Sequence, residues 1–234
     1  MGRNGLRPAI APRGADVAGT PLERLCAHRG VAVPAPGQVL DLAPVLDMRP
    51  ADLLAIAGGG IPAEFMPAAP NAAQVIDSMV RSDGPLIAEA EALRDYARSL
   101  PRPDNSGGLA GLPPLESVTS GAVFTRLLKV RNLSREGMAC VTGSALSTVG
   151  KAMRIGELIP QRLELMAATL CLRADDFDAI MVRTPNAPPA NDWVRDWVPR
   201  LWAFGEVLLA LAPLPLEQIK AVQTFVRRRH LSPP

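Results

Sequence analysis

The side chains that do covalent or metal chemistry are scarce in this chain of 234 residues: three cysteines (Cys26, Cys140, Cys171) and two histidines (His28, His230). They are far apart in sequence. No Cys-x-x-Cys, no Gly-x-Ser-x-Gly and no phosphate-binding loop accompanies them, so their spacing specifies neither a zinc site nor an activated nucleophile. Cys140 and Cys171 fall on helical patterns and read as small core residues. The neighbouring carboxylates Asp175-Asp176 and Glu89/Glu91 read as exposed helix charges, since proximity in sequence alone defines no acid–base pair. Gly58-Gly59-Gly60 follows no strand and precedes no Lys-Ser/Thr, so it marks a helix stop rather than a phosphate cradle. The expectation is a protein that is not an enzyme and uses no cofactor and no metal.

The chemistry that remains is hydrogen bonding and charge, and it concentrates between residues 134 and 154. Ser134 is a good N-cap for a helix over 135–142, with Gly137 where a capping box would carry Glu. Gly143 stands where the chain must turn sharply. A second helix over 146–154 places Val149, Ala152 and Met153 on one side and Ser147, Thr148, Lys151 and Arg154 on the other. Ala139 is small where two such helices would cross, and Val149 is apolar where it would pack beneath the turn. Residues 121–173 hold eight Lys/Arg against three Glu, a local charge of about +5, while the whole chain carries +2. Neutralising five phosphates would give a log–log salt slope of roughly −4 to −5.

On these residues, 121–182 resembles the five-helix lambda-repressor-like domain of Xre-type regulators. The family pattern Leu-Ser-x-Glu-x-x-Ala-x-x-x-Gly-x-x-x-Ser-Thr-Val is matched at Leu133, Ser134, Glu136, Ala139, Gly143, Ser147, Thr148 and Val149. The resemblance implies helices over 124–131, 134–142, 145–154, 160–170 and 174–181, with the third laid in the major groove of double-stranded DNA. Ser147 and Thr148 would then meet bases and phosphate at the start of that helix, and Lys151 and Arg154 would follow on the same face. Arg135 stands where the family usually has a Gln that touches backbone phosphate; Arg supplies charge there as well. The chain departs from the family at Leu146, where many relatives carry a polar base reader, and at Gly150, Met153 and Ile155. The implied function is a sequence-specific DNA-binding transcriptional regulator. Because such folds are reused for protein contact, a protein-interaction adaptor without DNA binding is the alternative, and a homodimer or a protein partner is compatible with either.

The elements that must position these residues are helical. Hydrophobic residues make up 48% and charged residues 21%, enough for a sizeable core, but aromatics are only 4%, so Leu, Val, Met and Ala must fill it. The 24 prolines cut the chain into short segments and argue against a large sheet. The composition predicts an all-α protein of two helical modules. Residues 1–19 read as a flexible tail, 20–100 as an N-terminal module with a helix from Pro21, 101–116 as a Pro/Gly-rich linker, 117–183 as the helix-turn-helix domain and 192–234 as a C-terminal helical segment. Helices are expected at 50–56, 71–81, 85–100 and 216–229. The two halves echo each other: 22–30 with 124–132, 42–53 with 166–177, and 92–98 with 221–227. The second of these offsets exceeds the first by 22 residues, so the N-terminal copy lacks the stretch that carries the motif and reads as a degenerate repeat. Trp193, Trp197 and Trp202 read as a cap over the C-terminal core, or else as the anchor of a dimer interface. No secretory signal and no membrane-spanning run is evident, and the expected location is the cytoplasm.

Overall fold

Proline and glycine do cut the chain into short helices. The computed structural model describes residues 36–69, 71–82, 89–102, 110–184, 187 and 191–231. Among them are eleven α-helices: α1 (Pro36–Leu46), α2 (Pro50–Ala57), α3 (Ala72–Ser82), α4 (Ala90–Ser99), α5 (Ser120–Lys129), α6 (Arg135–Val141), α7 (Leu146–Ile155), α8 (Pro160–Thr169), α9 (Ala174–Ile180), α10 (Asp192–Leu211) and α11 (Leu216–Leu231). Helix α2 carries Pro50 in its first turn and ends at Gly58, which is left-handed at φ 72°. Two-residue strands β1 (Glu157–Leu158) and β2 (Val182–Arg183) pair in parallel, with Glu157 opposite Val182. The fold is predominantly helical, as the composition implies. The tail at 1–19, the helix expected from Pro21 with Cys26 and His28, the start of the helix expected at 85–100, and the His230 side chain lie outside the described residues.

One continuous core runs through both halves. Helix α2 packs on α1 and α5, α3 on α6, α5 on α7, α8 on α9, and α10 on α4 and α8, while α11 closes over α3 and α4. Leu54, Leu93, Phe124, Leu127, Met138 and Phe177 are fully buried. Phe124 and Phe177 meet with their rings tilted and 5.9 Å apart, and Tyr96 stacks on Phe225 at 4.3 Å. The described part of the Pro/Gly-rich stretch lies along the end of α2. Leu112 exchanges two 2.8 Å backbone hydrogen bonds with Ile61, and the Leu115 amide donates to Gly58.

The echo between 42–53 and 166–177 has a backbone counterpart. Asp47, between α1 and α2, has φ 50°, and Cys171, at the matching position between α8 and α9, has φ 51°. Arg49 and Arg173 then occupy equivalent extended N-cap positions, at φ −69°, ψ 140° and φ −64°, ψ 141°. The same conformation recurs at Asn132 (φ 51°) between α5 and α6, so it belongs to this kind of short turn between helices.

Arg131, in the turn after α5, ties α2 to the end of α8. Its guanidinium is completely buried and forms a bidentate pair with Asp52, at 2.7 and 2.9 Å, while also donating to the carbonyls of Leu127 and Leu170. Arg126 is buried too and donates to the carbonyls of Gly59 and Pro113. Two of the eight cations counted from sequence between 121 and 173 therefore serve the interior. Burial and specific acceptors hold them there, and neither is available to a partner.

Trp193 and Trp197 do not cap the core; they are 43% and 40% exposed. Helix α10 is 20 residues long, twice the length of α4 or α8 on which it packs, and its first turns bury Val194 on one side while Trp193 and Trp197 stand exposed on the other. Cys171 is half-buried. Burial pushes its thiol up to about 12.

Candidate nucleic-acid interface

The residues singled out by their spacing lie on α6 and α7, and the geometry is built outward from the crossing of α5. Helix α5 starts at Thr119, whose hydroxyl accepts from the Ala122 amide at 3.2 Å. Gly121 on its first turn lets α7 approach backbone to backbone, since a Cβ there would collide with the Met153 carbonyl oxygen. At the far end of α7, left-handed Gly156 (φ 75°) fits against Ser120 in the same crossing.

Ser134 caps α6 by accepting from the Gly137 amide at 2.9 Å, and its hydroxyl donates to Asp77 of α3 at 2.5 Å. Gly137 has a reason beyond helix capping: a Cβ at this position would strike the Asp77 carboxylate. Asp77 is buried, with one oxygen bonded to Ser134 and the other, Oδ1, without a hydrogen-bond partner. Burial raises its carboxyl above the ordinary range, and the Ser134 hydrogen bond only partly opposes that. Sequence reasoning missed Asp77, which is remote from Ser134 along the chain and carries no local signal.

The turn after α6 is fixed by short-range bonds. The Ser144 amide donates to Ala139 at 2.8 Å, the Thr142 hydroxyl to Met138 at 2.7 Å, and Arg162 donates to the Thr142 carbonyl at 2.7 Å. Gly143 has φ 57°, with open space where a Cβ would be, so backbone conformation and not crowding selects glycine. Ala139 is buried at the helix crossing, and Val149 is fully buried beneath the turn.

Helix α7 then presents the expected side chains. Ser147, Lys151 and Arg154 are exposed and Thr148 is half-buried, while Val149 and Ala152 face the core. The Ala145 N-cap supplies no side-chain acceptor, so the first amides of α7 are left for solvent or a ligand. Arg135 is brought alongside: its side chain passes Gly150, 3.9 Å from where a Cβ would sit. Two of the cations already have acidic neighbours. Arg135 donates to Glu136 at 2.8 and 3.1 Å, and Lys151 meets Glu157 at 2.8 Å. These bonds hold the Glu136 and Glu157 carboxyls below the ordinary range, with Thr184 assisting at Glu157. Arg154 has no such neighbour among the described residues.

Leu146 and Ile155 bracket α7 and are 47% and 48% exposed. Cys140 is exposed and not a core residue, because α6 turns that position toward the α3 edge, where its sulfur lies 3.9 Å from the Val80 carbonyl. Among the described residues, no helix is long and apolar enough to cross a membrane. No protein-family model, curated protein or solved structure matches the chain.

Proposed function

We propose that α6, the turn at 142–145 and α7 act as the helix-turn-helix of a lambda-repressor-like domain, and that the protein is a sequence-specific DNA-binding transcriptional regulator. The observation that carries this reading is the sidedness of α7. Its inner face buries Val149 and Ala152, and its outer face offers Ser147, Lys151 and Arg154 to solvent beside Arg135. A major groove admits such a helix, phosphates set its position and side chains at its exposed start reach base edges. The uncapped first turn of α7 suits a phosphate oxygen. Arg135 and Lys151 can exchange their surface carboxylates for phosphates at little cost, because exposed ion pairs contribute only about 0–1 kcal/mol. Genome-wide recovery of bound fragments, followed by mobility shift across a salt titration, tests the proposal. The expected result is a steep loss of affinity with salt, and loss of binding in the Arg135→Ala/Lys151→Ala variant.

The protein-interaction adaptor is the second reading, and one observation favours it. Leu146 exposes an apolar side chain at the start of α7, where a polar reader would serve DNA. That reading predicts no shift with any DNA and retention of a protein partner in a pull-down that Leu146→Asp abolishes.

A further inference from the structure

We infer that the first half of α10 is a self-association surface, on which two copies of this chain pair antiparallel through Trp193, Trp197 and the charges of Asp196 and Arg200. The inference does not rest on DNA binding. Trp193, Trp197, Arg200, Phe204, Val207 and Leu211 recur along α10 at alternating spacings of four and three, the seam by which one helix packs along another. Phe204, Val207 and Leu211 are buried, whereas Trp193, Trp197 and Arg200 on the same stripe are exposed. The break has a geometric cause. Helix α4 packs along α10 and is tied to Glu206 through Arg94 at 2.6 Å, but it has 10 residues against 20. At ~1.5 Å per residue it covers about half of the seam. The uncovered half carries two indoles, the side chains that contribute most to protein interfaces.

The charges on this half select the occupant. Asp192 is paired with Arg195 at 3.6 Å within the chain, whereas Asp196 toward the start and Arg200 toward the end have no ion-pair partner among the described residues. A second copy laid antiparallel about a two-fold axis at the level of residue 198, midway between the two, sets Asp196 of each copy beside Arg200 of the other, and symmetry makes the contact twice. A parallel copy would set like charges together. Arg200 already stands 5.6 Å over the Trp197 ring within its own chain, so the guanidinium and indole form one preassembled surface. Two indoles and two charges per copy make a small interface, at the low end of specific contacts, so the dimer dissociates in the micromolar range.

Sedimentation velocity from about 5 to about 300 µM tests this. The full-length protein is expected to shift from monomer to dimer over that range. Trp193→Ala/Trp197→Ala is expected to stay monomeric with unchanged far-UV circular dichroism, because both side chains are exposed. Asp196→Arg and Arg200→Asp are each expected to weaken association at least tenfold, and their combination to restore it. A wild-type protein that remains monomeric throughout, as it would if this face took a different protein, overturns the proposal. So does a double-tryptophan variant that associates like the wild type, or a charge exchange that recovers nothing.

Discussion

Arg131, in the turn after α5, grips Asp52 of α2 through two guanidinium nitrogens, at 2.7 and 2.9 Å, with no solvent reaching the arginine. A buried pair of this kind is worth little against an apolar pair of equal volume, but losing one member strands the other. Asp52→Ala is therefore expected to destabilise the protein by about 3–5 kcal/mol, read as a lower urea midpoint, while Asp52→Leu/Arg131→Met recovers most of the loss. A midpoint for Asp52→Ala equal to that of the wild type would show that Arg131 needs no counter-ion.

Phosphate contacts by Arg135, Lys151 and Arg154 would each steepen the dependence of DNA affinity on salt. Replacing all three by Ala should flatten the log–log slope by ~2.7, at about 0.9 per phosphate, without altering helix content. Equal slopes for wild type and triple variant would remove these three residues from the interface.

Two glycines should differ in cost for different reasons. Gly143→Ala forces a side chain into the left-handed region with open space around it, at about 1–2 kcal/mol, and Gly143→Asn should cost less. Gly121→Ala must push α7 off α5 because the Met153 carbonyl blocks the Cβ, so its thermal midpoint should fall further. The reverse order would contradict the close crossing.

The raised carboxyl of Asp77 makes a signed prediction. In the window above the ordinary carboxyl value of ~3.9, the folded state holds a proton at Asp77 that the unfolded state has released. Stability contributed at this site therefore falls as pH rises through the window and is level above it. Asp77→Asn, which retains a side-chain oxygen to accept the Ser134 hydroxyl, should remove that fall, visible in urea titrations at about pH 4 and about pH 7. An unchanged pH profile would locate the effect elsewhere.

Thiol reactivity should separate the two described cysteines. In a Cys26→Ser background, Cys140 is exposed and should be alkylated at once, whereas Cys171, pushed up to about 12, should react only on unfolding. Mass mapping of the modified peptide checks the order.

What local sequence encodes, it encodes legibly. Ser134, Gly143 and Gly156 announce the starts and stops of α6 and α7, because caps and left-handed turns are matters of neighbouring residues. The exposed face of α7 follows from helical period alone. The echo of 42–53 with 166–177 gave no sign of the left-handed turns at Asp47 and Cys171, because neither position carries a glycine. Arg126 and Arg131 show where such reading ends. Each looked like surface charge, and only the fold, by bringing Gly59, Pro113, Asp52 and Leu170 around them, makes them interior. Gly137 and Asp77 are coupled in the same long-range way. Trp193 and Trp197 were misplaced because a stripe at helical spacing records that a face is apolar, without recording how far its neighbour extends.

The acceptors of Arg126 and Arg131 carry a further consequence for truncation. Gly59, Pro113 and Asp52 all precede residue 117, so a fragment beginning there would keep both arginines and shed most of the groups that neutralise or solvate them. Excising α5 through α9 would thus produce a chain in which Arg126 and Arg131 have lost most of the groups opposite them. The smallest autonomous unit must reach back at least to α2, and melting of the amino-terminal half would carry the α7 surface with it.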